Sequence, residues 1–469
     1  MPNWFAWLAL AISPFVVLVT YATRRSSARV ARTTAWMMVL PVMFLPSGTA
    51  FKMSGVPFLD KHRLSFLAIA IALQLFHRGE LLGKARWHNF PRLVLLGLVL
   101  GAVATVRTNA DVLAFGPRVL PGLTSYDVVS ISVARVLDLY LPFVVGQRVY
   151  RTERDLRDLL EVLSICGLIY APLCLFELRM SPSLHYWVYG TYPSQFAQAI
   201  RQGGYRPIVF MSHGLSVAMF LFTCLCAALA LRKVRATGGP VSAGARAAVT
   251  GVLVLLCKSL ASIIYSAGSL VVHLALSSKA IARMLAVCVV LIVAYPAAQL
   301  SSVFPADEVV RFFAGVNPDR AESLLFRFRH EGALVARARE RPLFGWGTFG
   351  RNRIFDEESG QDLSVTDGTW IIYFGQFGYA GLAALGALML VPVLRFTWSR
   401  ARMPETSQAL VGALAFMVVI FTINLFPNSY SDSLPLAYAG ALFTLSGYVR
   451  RSRAARRAIA RGPLEISAR

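Results

Sequence analysis

The chain has 469 residues, of which 56% are hydrophobic and only 15% charged, with a mean hydropathy of +0.57. Soluble globular domains run near a quarter charged, so this composition excludes both disorder and an ordinary soluble enzyme. The 47 Lys+Arg outnumber the 24 Asp+Glu to give a net charge of +23. These cations fall between long apolar runs, as in membrane proteins, so no nucleic-acid partner is expected.

Taking about 20 apolar residues per crossing, thirteen spans are predicted. They lie near 4–22, 33–50, 64–77, 93–107, 128–149, 158–177, 207–231, 247–257, 260–277, 284–302, 368–394, 408–427 and 433–449. The expected fold is an all-α polytopic integral membrane protein of about 12–14 transmembrane helices, forming one membrane domain over residues 1–469. The first span lacks a small-residue cleavage site and reads as an uncleaved helix. The six cysteines lie within or beside apolar runs and lack metal-ligand spacing, so neither a metal site nor a disulfide framework is expected. The spacing of Arg135 and Asp138 in the fifth span predicts an ion pair, and Glu177 with Arg179 forms a second candidate pair.

Clusters of basic residues assign the inner side. They are Arg24, Arg25, Arg29 and Arg32; Arg78, Lys84, Arg86 and Arg92; Arg148, Arg151, Arg154 and Arg157; Arg232, Lys233, Arg235 and Arg246; and a basic cytoplasmic tail over 450–469 that includes Arg461. Alternation then places loops 51–63, 108–127, 178–206 and 303–367 outside.

The outside loops carry the chemistry. Loop 303–367 holds nine Arg and eleven Asp/Glu. Within it, 321–341 reads as an amphipathic helix with Leu324, Leu325, Phe328 and Val335 on one face, ended by Pro342. Its plain reading is a helix lying on the membrane surface. In a site, Arg327, Arg329, His330 and Arg341 would touch substrate. Gly345, Gly347 and Gly350 spell G-x-G-x-x-G, but no strand-turn-helix context supports a dinucleotide fingerprint. These glycines turn the chain or admit close backbone approach. Asp367, just before a span, is either a helix N-cap or a base at the outer mouth of the bundle. Segment 201–207 places Arg201 and Arg206 at the entrance of the seventh span, where the guanidinium fork suits phosphate oxygens. Lys258 interrupts the apolar run at the turn between two short spans, where it either snorkels to the interface or joins a site. The aromatic stretch with Tyr186, Trp187, Tyr189, Tyr192 and Phe196 fits an interfacial belt, and Tyr192 would also suit sugar stacking.

Five segments in order, TVRTNADVLAFGPRVLPGLTSYD (105–127), RQGGYRPIVFMSHG (201–214), LLCKSLAS (255–262), RARERPLFGWGTFG (337–350) and VTDGTWIIYFGQFGYAGLAAL (365–385), resemble those of the O-antigen ligase and Wzy-type O-antigen polymerase superfamily. The resemblance covers roughly residues 50–450. Asp367 stands where the family has a histidine, and Lys258-Ser259 reverses the family's serine-arginine. The resemblance implies a glycosyltransferase of the bacterial inner membrane with its site facing the periplasm. Such an enzyme moves a glycan from undecaprenyl diphosphate to an acceptor hydroxyl, with no cofactor and no essential metal. Arg201, Arg206 and Lys258 would hold the diphosphate and Asp367 would serve the acceptor. Partners would be the lipid-linked glycan, the bilayer and other polysaccharide assembly proteins. Polymerase is favoured over ligase. A transporter or flippase, and a non-catalytic subunit, are the rival classes.

The topology is directly testable. In intact spheroplasts, an impermeant thiol reagent is expected to label Ser359→Cys and to spare Ser452→Cys; the reverse pattern would invert the assignment.

Overall fold

The computed structural model describes residues 1–24, 30–53, 56–77, 89–201, 203–236, 241–315, 318–429 and 432–460. Of the residues singled out above, Arg25, Arg29, Arg78, Lys84, Arg86, Gln202 and Arg461 lie outside the described residues. The chain is 72% helical with almost no strand, an all-α polytopic membrane protein.

The first half runs α1 (Trp4–Thr23), α2 (Val30–Phe44), α3 (Lys61–Phe76), α4 (Asn89–Arg107), α5 (Ser125–Arg135), α6 (Leu141–Val149), α7 (Glu153–Met180) and the short α8 (Leu184–Tyr189). The second half continues with α9 (Gly214–Lys233), α10 (Ala243–Leu256), α11 (Leu260–Leu274), α12 (Ser278–Leu300), α13 (Ala306–Ala314), α14 (Pro318–Arg339), α15 (Thr369–Ser399), α16 (Glu405–Asn424) and α17 (Leu434–Ala460). Among the described residues, eight helical stretches are long and apolar enough to cross a membrane, and four more are apolar but shorter. With α3, which opens on Lys61, His62 and Arg63, every predicted span has a helical counterpart. In the apolar windows of α9 and α16, 89% and 72% of residues are buried, against 22% in α1 and 33% in α12. The first pair is the centre of the bundle. The second pair presents bare Phe15, Val19, Val290 and Leu291 outward, a surface suited to lipid and costly in water.

The loops expected outside carry secondary structure of their own among the described residues. Three of them carry small antiparallel hairpins: β1–β2 (Ala50–Met53, Val56–Asp60), β3–β4 (Leu113–Phe115, Arg118–Leu120) and β5–β6 (Ile200–Arg201, Gly204–Tyr205). The long loop holds α13, which the sequence reading missed, as well as α14. Helix α14 does not simply rest on the membrane. Leu334, Val335 and Ala338 pack into Trp370, Ile371 and Phe374 at the start of α15.

Two expected ion pairs are replaced. A π-helical turn at Val136–Tyr140 joins α5 to α6 and widens the local spacing, so residues three apart no longer share a face. Asp138 instead receives both arms of Arg63, at 2.6 and 2.7 Å. Arg135 lies over the Phe377 ring at 4.4 Å. Glu177 does not meet Arg179; it accepts the backbone N–H groups of Leu184, Ile208 and Val209 at 2.7–3.0 Å. That cradle explains why α9 starts at Gly214 rather than 207. The chain before it is held irregular, with Val209 at φ +52°.

Helix α15 is broken at Gly378, where φ is +61° and ψ −156°. The break exposes the carbonyls ending one half and the N–H groups opening the other. Segment 342–347 satisfies both. Trp346 and Gly347 N–H donate to Gly375 and Gln376 C=O, each at 2.8 Å. Tyr379 and Ala380 N–H donate to Pro342 and Leu343 C=O at 2.8 and 3.2 Å. A Cβ on Gly378 would strike the Pro342 carbonyl, and one on Gly345, itself at φ +70°, would strike the Gln376–Phe377 peptide. The glycine-rich motif is thus a splice for a broken helix. Gly378→Ala and Gly345→Ala are each expected to destabilise the protein by at least about 1–3 kcal/mol, read as a lowered Tm in detergent; unchanged unfolding would refute the splice.

Candidate functional site

The five motif segments assemble into two groups. One group joins 105–127, 337–350 and the start of α15. Arg341 grips the Asp111 carboxylate at 2.7 and 3.0 Å, bonds Asn109 Oδ1 at 2.8 Å and also reaches the Thr108 carbonyl. Arg351, almost wholly buried, adds a second guanidinium to Asp111 at 3.3 Å. Thr105 Oγ1 and Asn109 Nδ2 donate to the Phe344 and Gly345 carbonyls. Partial burial works against the charge of Asp111, but its hydrogen bond to Arg341 and the two arginine charges outweigh that and hold its carboxyl below the usual range. Arg341, expected to touch substrate, is therefore committed to a structural node. Trp346 sits between Arg337 and Arg341, 3.4 and 4.1 Å from their guanidinium carbons.

The second group joins 201–214 to the α10–α11 turn and brings Arg201, Arg206 and Lys258 together. Arg206 is buried. Its Nε donates to Cys257 C=O at 3.1 Å and its Nη2 to Lys258 C=O at 2.8 Å. It caps the C-terminal end of α10, where the helix dipole favours a cation. Burial, and after it the like charge of Arg201, lowers its basicity. The Arg206 fork is thus spent on the backbone. Lys258 adopts φ +50°, and its Nζ donates to Arg201 C=O at 3.0 Å. Gly204 permits this approach, since a Cβ there would lie 2.6 Å from the ammonium. Arg201 is exposed beside it. Tyr192 stacks on Tyr186 at 4.9 Å and meets Phe196 at 5.7 Å, and Phe196 leads to Tyr205 at 6.3 Å. This aromatic row ends in β6, next to Lys258.

Asp367 is not the N-cap of α15. That position is Gly368, whose Cβ would collide with the Phe426 carbonyl. The first turn is instead tied down by Thr369, whose Oγ1 and N–H both donate to Asn428 C=O. Asp367 stands one residue earlier, with 46% of its side chain exposed and Arg327 Nε 3.8 Å away. Arg327 also bonds the Pro427 carbonyl. On the same helix, His330 lies against the Phe326 ring and Arg329 points to solvent. Glu331 is half-buried and accepts from the Tyr295 hydroxyl at 2.7 Å; burial raises its carboxyl above the usual range.

Near the start of α15 lies a cavity with charged groups in its lining that the sequence reading missed. It has a volume of about 240 Å³, and its lining includes Asp60, His62, Arg63, Asp138, Tyr373 and Asp432 together with apolar Leu385, Met389 and Phe421. His62 and Asp432 also line a second cavity of about 30 Å³, with Lys61, Ser212 and Ser216. Asp60 caps α3 by accepting from the His62 and Arg63 N–H groups. Lys61 Nζ donates to the carbonyls of Val42, Leu45 and Phe210. His62 Nδ1 lies 3.7 Å from Asp432 Oδ1. The available signal was the run Asp60-Lys61-His62-Arg63, four ionisable residues at the mouth of a span. Among the described residues, no three His, Cys, Asp or Glu side chains converge as metal ligands do.

No protein-family model matches the chain, and no curated protein is similar to it.

Arginine and lysine are not equivalent at position 206, because only a fork reaches two carbonyls. Arg206→Lys is expected to destabilise the protein by about 1.5–3 kcal/mol, the scale of a buried charged hydrogen bond, measured by thermal unfolding in detergent. An unchanged Tm would mean the cap contributes nothing.

Proposed function

We propose that the protein is a membrane glycosyltransferase that moves a glycan from a polyprenyl-diphosphate carrier to an acceptor hydroxyl, as a Wzy-type polysaccharide polymerase does. The reading places it in the bacterial inner membrane with its site facing the periplasm. The observation that carries it is the course of segment 201–216. At one end it bears Arg201, and Arg206 bound to the Lys258 turn. At the other, Ser212 and Ser216 line the small cavity with His62 and Asp432. The segment that bears two arginines suited to a diphosphate thus also lines a cavity with the Asp432 carboxylate, suited to a sugar hydroxyl.

Each group has a role in this reading. Arg201 and Lys258 receive the donor diphosphate, and Arg206 holds their turn while adding charge from beneath. Cations fixed in this way stabilise the negative charge that grows on the leaving diphosphate. The aromatic row from Tyr186 to Tyr205 lies alongside for sugar stacking. Asp367, at the rim two residues before cavity-lining Thr369, orients the acceptor. A ligase differs from a polymerase only in the acceptor it accepts.

A broken helix such as α15 also occurs in transporters, where the half-helix ends are left to coordinate substrate. Here both ends are already hydrogen-bonded to 342–347, which favours a fixed site over alternating access.

The test is reconstitution of the full chain with a polyprenyl-diphosphate oligosaccharide, scored for elongated product; no product would refute the reading. Asparagine at 367 keeps hydrogen bonding and removes basicity. Asp367→Asn is therefore expected to keep fold and to keep turnover within about tenfold, the effect of one weakened hydrogen bond. A loss of about 10²–10⁴-fold, the scale of a positioned base, would make Asp367 the base instead.

A further inference from the structure

We propose that His62 is the general base of this transfer and that Asp432 is its positioning residue, with the acceptor sugar bound in the cavity they line. The inference rests on the glycosyltransferase reading and names its acceptor site.

Size and polarity come first. At about 240 Å³, the cavity far exceeds the roughly 10–15 Å³ that a single water needs. That is room for a sugar ring rather than an oligosaccharide. Its polar lining mixes Asp60, Asp138 and Asp432 with His62, Arg63 and Tyr373. Three carboxylates repel a diphosphate and accept hydrogen bonds from hydroxyl groups. The donor's charged end therefore belongs at Arg201 and Lys258, and the neutral acceptor belongs here.

Within the lining, most charged groups are already engaged. Arg63 and Asp138 hold each other bidentately. Lys61 is wrapped by three carbonyls. Asp60 caps α3. His62 differs. Its Nδ1 is buried without a hydrogen-bond partner and faces Asp432 Oδ1 at 3.7 Å. Asp432 is itself fixed, accepting the Leu434 N–H at 3.0 Å at the start of α17. A base oriented by a carboxylate at its other nitrogen is a recurrent catalytic arrangement, and such hydrogen bonds are often long before substrate binds.

The step balances. The acceptor oxygen attacks C1 of the donor sugar and forms the new C–O bond as its proton passes to the His62 imidazole. The C1–O bond to the diphosphate breaks, and its electron pair leaves on the diphosphate oxygen facing the cations. Asp432 stabilises the imidazolium until it returns the proton to water.

The experiment uses the full chain with a polyprenyl-diphosphate oligosaccharide. Variants are first shown to be monodisperse with wild-type Tm. His62→Gln is expected to lower kcat about 10²–10⁴-fold at unchanged donor KM and to abolish the acid limb of the pH profile. The groups facing His62, namely Asp60, Lys61, Arg63, Asp138, Tyr373 and Asp432, stay in place in that variant. Asp432→Asn, which can still cap α17, is expected to lower kcat at unchanged donor KM. His62→Ala is expected to regain turnover with added imidazole, which a purely structural histidine would not show. Wild-type turnover in His62→Gln, or a folded His62→Ala that imidazole does not rescue, overturns the inference while the transferase reading stands. No product from the wild type overturns both.

Discussion

In a bilayer, a backbone N–H or C=O without a partner costs several kcal/mol, so irregular chain is tolerated only where protein satisfies it. The region that carries the long loops is built around that constraint. Helix α15 stops at Gly378 and restarts, and segment 342–347 supplies a partner to each of the four exposed groups there. The α10–α11 turn leaves two carbonyls, and Arg206 takes both. The irregular approach to α9 leaves the Ile208 and Val209 N–H groups, and Glu177 accepts them. Each repair draws its partner groups from another part of the chain, backbone in the first case and a charged side chain in the other two, and the repairs hold these loops in register.

The same logic sorts the charged residues by role. Arg206, Arg341, Arg351, Glu177 and Lys61 look like site residues by type, yet each is held by backbone groups or by the Asp111 carboxylate. The groups placed at a surface or cavity are Arg201, Lys258, Asp367, His62 and Asp432. Cations gather by the β5–β6 hairpin, and carboxylates gather in the cavity beside α3. This separation gives the two ends of a charged donor and a neutral acceptor different places, without any one residue serving both.

Much of the fold was legible. Long apolar runs allow few structures but helices, and the helices lie where those runs do. The order of the five motif segments was also visible, together with the suitability of Arg201, Arg206 and Lys258 for one neighbourhood. Where the reading failed, a contact distant in sequence had overridden a local rule. Arg135 and Asp138 have the spacing of a helical pair, but a π turn and Arg63, 75 positions before Asp138, separate them. Asp367 has the look of an N-cap, but the Phe426 carbonyl lies so close to Gly368 that the glycine takes that place.

What the sequence determined by itself is therefore the class of molecule and the placement of its apolar helices along the chain. Hydropathy and charge act on each segment independently of its neighbours, so composition suffices. The tertiary structure alone decided which polar groups are buried in structural contacts and which reach a surface or cavity. His62 and Asp432 lie 370 positions apart in the chain and 3.7 Å apart in the fold. Their meeting depends on how α3 and α17 both pack on α6, and no local pattern encodes it.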